Sequence, residues 1–397
     1  MSRVHIIGAG FSGLTLAYHL IQRGQKVELF EKSKSVGGLL SSEVTESGIV
    51  ESAANGLLNS SHVQTLFNDL GIVQAARPAG RPKRYIYRDG LKTWPLHVSE
   101  TFKLLSGVFK VALNDRPNIR ENESLKDWVS RTFGEAAFDH LISAALQGVY
   151  GTSDLDAELI YRAVQKARQD GRARRKNKLM AGTVAPQNGM GELIEKLKIY
   201  IVNNGGEIHT EANGDVRLSH PTVLATSAPA AALLLVEEAP ELSRLLAKIE
   251  YLPLYSLTCF FASSAERAKG FGCLFPQKAN FLSLGVLFNN GIFQNRAREH
   301  SETWILSGKD LTKESVVQSV LRDRKKLFGV EDELQDSRFF AWPHAIPHYN
   351  STLRQVIDNL SLPPQLYLTG NYLGGIGLGK ILEMNERLAS QICDEVM

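Results

Sequence analysis

The chain has 397 residues, 43% of them hydrophobic and 22% charged, and carries a formal net charge of +3. That length exceeds what one small core serves and predicts two or three domains, and so slight a basic excess gives no ground for a nucleic-acid partner. The three cysteines, Cys259, Cys273 and Cys393, form no CxxC pair. They exclude a disulfide framework or a zinc site and read as reduced thiols of a cytosolic chain.

Val4 to Gly8 reads VHIIG, a short β-branched run suited to a buried strand. GAGFSG follows, with Gly8, Gly10 and Gly13, and a helical pattern runs from Leu14 until Gly24 stops it. Val27 to Phe30 is a second strand, and Glu31 ends it. Strand, GxGxxG, helix, strand and acid stand in the order of a dinucleotide site. Gly8 permits the tight turn, Gly10 lets backbone N–H groups approach a pyrophosphate, and Gly13 lets helix and strand pack closely. The helix N-terminus adds partial positive charge, and Glu31 can accept from an adenosine ribose. The Gly37-Gly38 pair just beyond lets the chain double back along a diphosphate, which favours FAD over NAD.

No secretory leader is expected before the first strand, and no run reads as a membrane span. The longest uncharged run, Leu218 to Val236, is broken by Pro221 and Pro229. A cytoplasmic location is expected, with peripheral attachment to a membrane left open.

Residues 43–58 suggest a hairpin-like return to the sheet, and Ser52-Ala53-Ala54-Asn55-Gly56 makes a loop of small residues that can lie against a flat ring system. A helix is predicted over 60–71. RPKRYIYRDGLKTWPL then reads as two strands about a turn at Asp89-Gly90. Arg84, Arg88 and Lys92 either form a solvated basic edge or meet carboxylates of a ligand. Residues 99–165 are predominantly helical, with Phe102, Leu105, Val108 and Phe109 in an apolar stripe that reads as core. GVYGTS, residues 148–153, breaks the helices and places Tyr150 at a cleft. The basic block 166–178 reads as a self-repelling loop, either solvated or touching anionic lipid.

Gly189 opens a further helix, and 207–226 supplies short strands that re-enter the cofactor domain, with Val216 beside the adenine. Alternation over 251–310 predicts a second sheet, and Val316, Val320 and Leu327 place a helix over 313–328. In RFFAWPHAIPHYN, Pro343 and Pro347 fix the setting of Trp342, His344, His348 and Tyr349. The prolines exclude a regular helix, so the two histidines do not read as a metal pair. Leu366 to Thr369 is a last buried strand. Gly370-Asn371 and Gly374 to Gly379 lead into a helix running through Ile392, a turn that presents N–H groups to an oxygen-rich ligand. Together the two glycine-rich ends fit one long flavin nucleotide.

The stretches GAGFSGL, EKSKSVGG, RYIYRDGLKTWP, GVYGTSDL, NGMGELIEKL, ATSAPAAALL, WPHAIPHY and TGNYLGGIGLGKI stand in the order found in one family and cover most of the chain. The sequence resembles the FAD-dependent protoporphyrinogen and coproporphyrinogen oxidases of haem synthesis, within the flavin amine-oxidase superfamily. The resemblance implies an α/β fold, partly α+β. Its Rossmann-like FAD-binding domain is built from residues 1–75, 190–230 and 335–397. A mainly helical domain spans 76–189, facing substrate or membrane, and a substrate-domain sheet and helix span 231–334. Carried over by position, the FAD contacts are Gly8, Ala9, Gly10, Phe11, Ser12, Gly13, Leu14, Glu31, Lys32, Gly38, Leu39, Ala53, Ala54, Asn55, Gly56, Val216, Trp342, Asn371, Ile376, Gly377 and Leu378.

The implied reaction removes six electrons from a porphyrinogen in three flavin cycles, with oxygen as acceptor, so no obligatory catalytic triad and no metal is expected. Lys92 falls where the family often sets a basic residue against a substrate propionate. Tyr150, Phe275 and Phe281 are candidate walls for the macrocycle, and His344 and His348 candidate proton handlers. Ala53-Ala54 stands where Gly-Pro is usual, Ser41 where a basic residue is common, and the chain is shorter than most members. Two alternatives stay open: an oxidase of the same superfamily acting on an amine or a polyene, and a flavin- or porphyrin-binding homologue without turnover. The choice between proto- and coproporphyrinogen and the oligomeric state are not readable.

Overall fold

The computed structural model describes residues 3–113, 118–174 and 182–396. Its strands, in chain order, are β1 (Val4–Ile7), β2 (Val27–Glu31), β3 (Ser42–Val44), β4 (Ile49–Glu51), β5 (Leu57–Leu58), β6 (Arg84–Tyr87), β7 (Leu91–Lys92), β8 (Thr183–Val184), β9 (Glu207–Thr210), β10 (Thr222–Leu224), β11 (Tyr251–Phe261), β12 (Gly272–Leu274), β13 (Ser283–Phe288), β14 (His300–Ser307), β15 (Asp336–Pro347) and β16 (Leu366–Leu368). Two sheets organise the molecule.

The first has five parallel strands in the order β16-β10-β1-β2-β9. Parallel strands need crossovers, and these cover both faces of the sheet with helices. Val4, Ile6, Leu29, Val223 and Tyr367 point into one core with residues of helices Phe11–Gln22, Met190–Asn203 and Leu378–Val396. Ile7, Leu224, Leu366 and Leu368, of opposite parity, point into another with helices Ala228–Leu234, Pro240–Leu246 and Ser351–Asp358. This arrangement is the α/β, Rossmann-like frame expected of a nucleotide-binding chain.

The second sheet is mixed, in the order β15-β11-β14-β13-β12-β6-β7. One face carries Tyr255, Leu257, Cys259, Phe261, Val286, Trp304 and Leu306 onto Val316, Val320 and Leu327 of the helix Lys313–Phe328. The opposite face meets the helical layer. A Cβ on Gly148, in the helix Ser143–Tyr150, would lie 2.5 Å from Leu274, and one on the adjoining Gly151 would lie 3.2 Å from Leu254.

Sheet membership differs from the expected segments in two places. β15 was expected with the cofactor domain and β6 and β7 with the helical one, yet all three hydrogen-bond into the second sheet. Pro343 is tolerated because β15 is an edge strand with a bulge there: Trp342 pairs with Leu254 and Ile346 with Leu252. The block at 166–178 also departs from expectation. The helix Ala157–Arg174 runs well into it, and only its last residues lie outside the described ones. That helix is nucleated upstream, where Asp156 accepts the Leu159 amide at 2.8 Å and Arg162 pairs with Glu158 and Asp358; once nucleated, a helix propagates easily. Among the described residues no helix is long and apolar enough to cross a membrane.

Candidate active site

The glycines of the first turn divide by what they are needed for. Gly8 has φ +104°, and a Cβ there would lie 2.8 Å from the Ala225 carbonyl oxygen. A Cβ on Gly13 would overlap the Gly8 carbonyl oxygen. Both are therefore demanded by the fold. Gly10 is different: its φ of −73° suits any residue, and a Cβ there would come no nearer than 3.7 Å to protein, at Gly38 Cα. Protein packing therefore does not require a glycine here, which leaves space at the N-terminus of the helix Phe11–Gln22, the helix that also carries Ser12 and Leu14.

The second glycine pair folds onto the first turn. The Gly37 amide donates to the Ala9 carbonyl at 2.8 Å, and Gly10 bridges Gly37. Glu31, at the end of β2, accepts the Ala9 amide at 3.0 Å and the Ser33 amide at 2.9 Å. Its half-buried carboxylate thus stands at the turn, with Lys32 exposed beside it. Val216 is buried in the segment between β9 and β10, where Gly214 packs on Ile7 and Phe30 at the ends of β1 and β2.

Ser52 joins the next two loops. Its hydroxyl donates to the Leu39 carbonyl at 2.7 Å and accepts the Ser41 amide at 2.8 Å. Its carbonyl accepts the Trp342 indole N–H at 2.8 Å, which brings β15 to the half-buried Ala53-Ala54-Asn55-Gly56 loop. Trp342 lies parallel to Phe340, with centroids 6.5 Å apart. Both belong to the face of the second sheet away from its own core, since their pairing partners are Leu254 and Ser256.

The C-terminal turn closes from the other side. Asn385, in the helix Leu378–Val396, donates to the Ser12 carbonyl at 2.8 Å and the Thr15 hydroxyl at 2.7 Å, so the two glycine-rich turns are neighbours. Asn371 donates to the Ala345 carbonyl at 3.1 Å, and its own carbonyl accepts the Tyr349 hydroxyl at 2.6 Å. Ile376 and Leu378 are half-buried, and a Cβ on Gly377 would meet nothing within 4 Å. Two helix N-termini, two glycines that no packing requires and one acid at the end of a strand fit a dinucleotide.

The expected substrate residues fare less evenly. Lys92 is exposed and pairs with Ile86, which aligns with Leu274, so all three share the face turned to the helical layer. Phe275 and Phe281 do not. Their rings stack at 4.1 Å, Phe275 also lies on Trp304 at 5.8 Å, and both belong to the core beneath the helix Lys313–Phe328. The physical reason is parity: Phe275 follows Leu274, so it points to the opposite face. Tyr150 is half-buried and packs edge-on against Tyr349 at 5.0 Å, and burial raises its phenol pKa. His348 is held by the Asp154 carbonyl at 2.7 Å and faces Glu250 at 3.5 Å, so its ring fastens two loops. His344 is exposed, edge-on to Tyr251. Sequence reading missed Ser52 as a connector, Phe340 as the neighbour of Trp342 and Asn385 as the link between the turns. Only Phe340 left a signal, by its alternation with Trp342.

The sequence model described as flavin containing amine oxidoreductase matches residues 11–378. The chain belongs to that family and is an FAD-dependent oxidoreductase. It is 27% identical to protoporphyrinogen oxidase 2, chloroplastic/mitochondrial, of Arabidopsis thaliana, over 95% of this chain and 91% of that protein. It is 22% identical to coproporphyrinogen III oxidase of Bacillus subtilis (strain 168), over 98% of this chain and 97% of that one. A putative protoporphyrinogen oxidase from Exiguobacterium sp. 255-15 has a similar structure, with TM-score 0.75, 18% identity and coverage of 100% and 99%. Cyclohexylamine oxidase from Brevibacterium oxydans IH-35A is comparably similar, with TM-score 0.72, 15% identity and coverage of 100% and 99%. These two structures share the fold.

Proposed function

We propose that this oxidoreductase converts a porphyrinogen, protoporphyrinogen IX or coproporphyrinogen III, to the porphyrin, with oxygen as the final acceptor. The reading is carried by one observation: similarity to protoporphyrinogen oxidase 2 of Arabidopsis thaliana runs through 95% of this chain. On the face of the second sheet away from its core, Trp342 serves the cofactor end at one edge, and Lys92, on the opposite edge strand, is a cation able to meet a carboxylate arm. FAD, when bound, supplies the hydride-accepting chemistry. The chain's part is to position. Gly10, Glu31 and Gly377 admit and orient the dinucleotide, Trp342 holds the Ser52–Gly56 loop in place, Lys92 orients the substrate through its carboxylate, and the helical layer excludes water.

An anaerobic assay with both porphyrinogens tests the proposal. Bleaching of the flavin absorption by either one is the expected result, and bleaching by amines alone points to the alternative of an amine oxidase. A yellow protein that neither reduces is a binding homologue without turnover.

The same reading extends to a lipid surface. The stripe expected in the core is instead open: Trp94, Val98, Phe102, Leu105 and Phe109 are each at least half exposed along the helix Val98–Leu113 and its approach. Such a stripe suits the interfacial plane of a bilayer, from which an apolar tetrapyrrole can be received. Phe102→Asp with Phe109→Asp should abolish co-sedimentation with anionic vesicles and leave flavin content unchanged.

A further inference from the structure

A buried charge joins the cofactor-facing loops to the second sheet. Arg296 lies in the connection between β13 and β14, and its side chain is 5% exposed against 4% for Glu51 at the end of β4. Arg296 Nη1 donates to Glu51 Oε1 at 2.8 Å, and Nη2 donates to the Pro186 carbonyl at 3.0 Å. The Glu51 carboxylate also accepts the Ser42 hydroxyl and the Met190 amide, so it caps the helix Met190–Asn203. The next amide of that helix, Gly191, donates to the Ser42 hydroxyl at 2.8 Å. The backbone repeats the junction: the Ile49 amide donates to the Arg296 carbonyl at 2.8 Å and the Arg298 amide to the Ser47 carbonyl at 3.0 Å.

Burial pushes the Glu51 carboxyl up and the Arg296 guanidinium down in pKa, and each partner offsets that for the other. Breaking such a pair by removing one member leaves an uncompensated buried charge. Glu51 is followed directly by Ser52, whose bonds tie Leu39 and Ser41 on one side to Trp342 on the other. Both glycine-and-small-residue loops at the cofactor therefore hang on the carboxylate that Arg296 neutralises. Nothing in the cofactor fingerprint includes Arg296, and it touches none of the residues expected at a substrate.

We propose that Arg296 is a positioning residue that couples FAD binding to the docking of the second sheet on the first. The loops 37–42 and 51–56 keep their binding shape only while Arg296 neutralises Glu51. By reciprocity, FAD that orders those loops must also order the segment 289–300. The inference depends on FAD binding and is independent of which substrate is oxidised.

The test uses the full chain stripped of flavin, with Arg296→Met and Arg296→Lys beside the wild type. FAD is titrated by quenching of its fluorescence, at a temperature where circular dichroism shows each protein folded, and amide hydrogen exchange is followed over 289–300 with and without FAD. Arg296→Met should bind FAD about tenfold more weakly or worse, and Arg296→Lys should stay within about threefold of wild type, because it keeps the charge. FAD should slow exchange over 289–300 in the wild type and in Arg296→Lys, but not in Arg296→Met. A folded Arg296→Met with wild-type affinity overturns the proposal. So does a wild type whose 289–300 exchange is indifferent to FAD, a measurement that decides the matter even where Arg296→Met does not fold.

Discussion

The parallel sheet is covered on both faces, and its three inner strands are short and mostly buried; the mixed sheet buries one face under the helix Lys313–Phe328 and turns the other to the helical layer. In the first, the residues proposed to meet the ligand lie at the ends of the strands, in turns and at helix N-termini. In the second, those proposed are alternate residues of the strands themselves. Residues at turns are therefore specified by backbone and close approach, and residues on strands by which side of the sheet they point to. A local motif reveals the first kind. The second kind needs the parity of each strand and knowledge of which face is core.

The sharpest way to break this comparison is at the first turn. Gly13→Ala should fail to accumulate as folded protein, since its Cβ would overlap the Gly8 carbonyl oxygen. Gly10→Ala should lower the stability of the flavin-free protein by only about 1 kcal/mol, the difference between glycine and alanine at an N-cap, yet weaken FAD binding by about a hundredfold or more. Thermal melts with and without FAD separate the two. Equal damage from both would mean that Gly10 is a packing residue like Gly13.

A second prediction concerns the helices on the parallel sheet. Burial beside the C-terminal helix pushes the His19 pKa down to about 4 from its ordinary value of 6.5. Above pH 6.5 the ring is neutral in both the folded and the unfolded chain. Between 6.5 and about 4 the unfolded chain binds the extra proton, so stability falls with falling pH, by at most about 3 kcal/mol in this window. Melting temperatures measured across it should fall less steeply for His19→Leu than for wild type. Parallel slopes would show that another group carries the acid sensitivity.

On the mixed sheet, Lys92→Ala should raise KM for porphyrinogen about five- to tenfold while kcat holds, the mark of binding energy shared equally by ground and transition state. An unchanged KM would remove Lys92 from the site. The smallest effect is expected where β15 touches the Ser52 loop. Trp342→Phe removes only the indole bond to the Ser52 carbonyl and should cost about 1 kcal/mol, with a small shift of the flavin absorption band. A flavin spectrum identical to wild type would place that bond away from the ring system.

The sequence by itself determined the cofactor frame, because each part of it obeys a local physical rule. Gly8 needs a positive φ, Glu31 ends a strand that starts beside Lys26, and the spacing of Val316, Val320 and Leu327 marks a helix with one apolar face. Tertiary structure decided the rest. Phe275 and Leu274 are adjacent in the chain and look equally fit to line a cleft, yet only the covering helix settles which of them is core. Glu51 and Arg296 are each unremarkable among many charges until folding puts them 2.8 Å apart, out of water. Short-range rules act within a few residues, where the chain itself sets the distance. Burial and charge pairing depend on what arrives from elsewhere, and no local pattern records that.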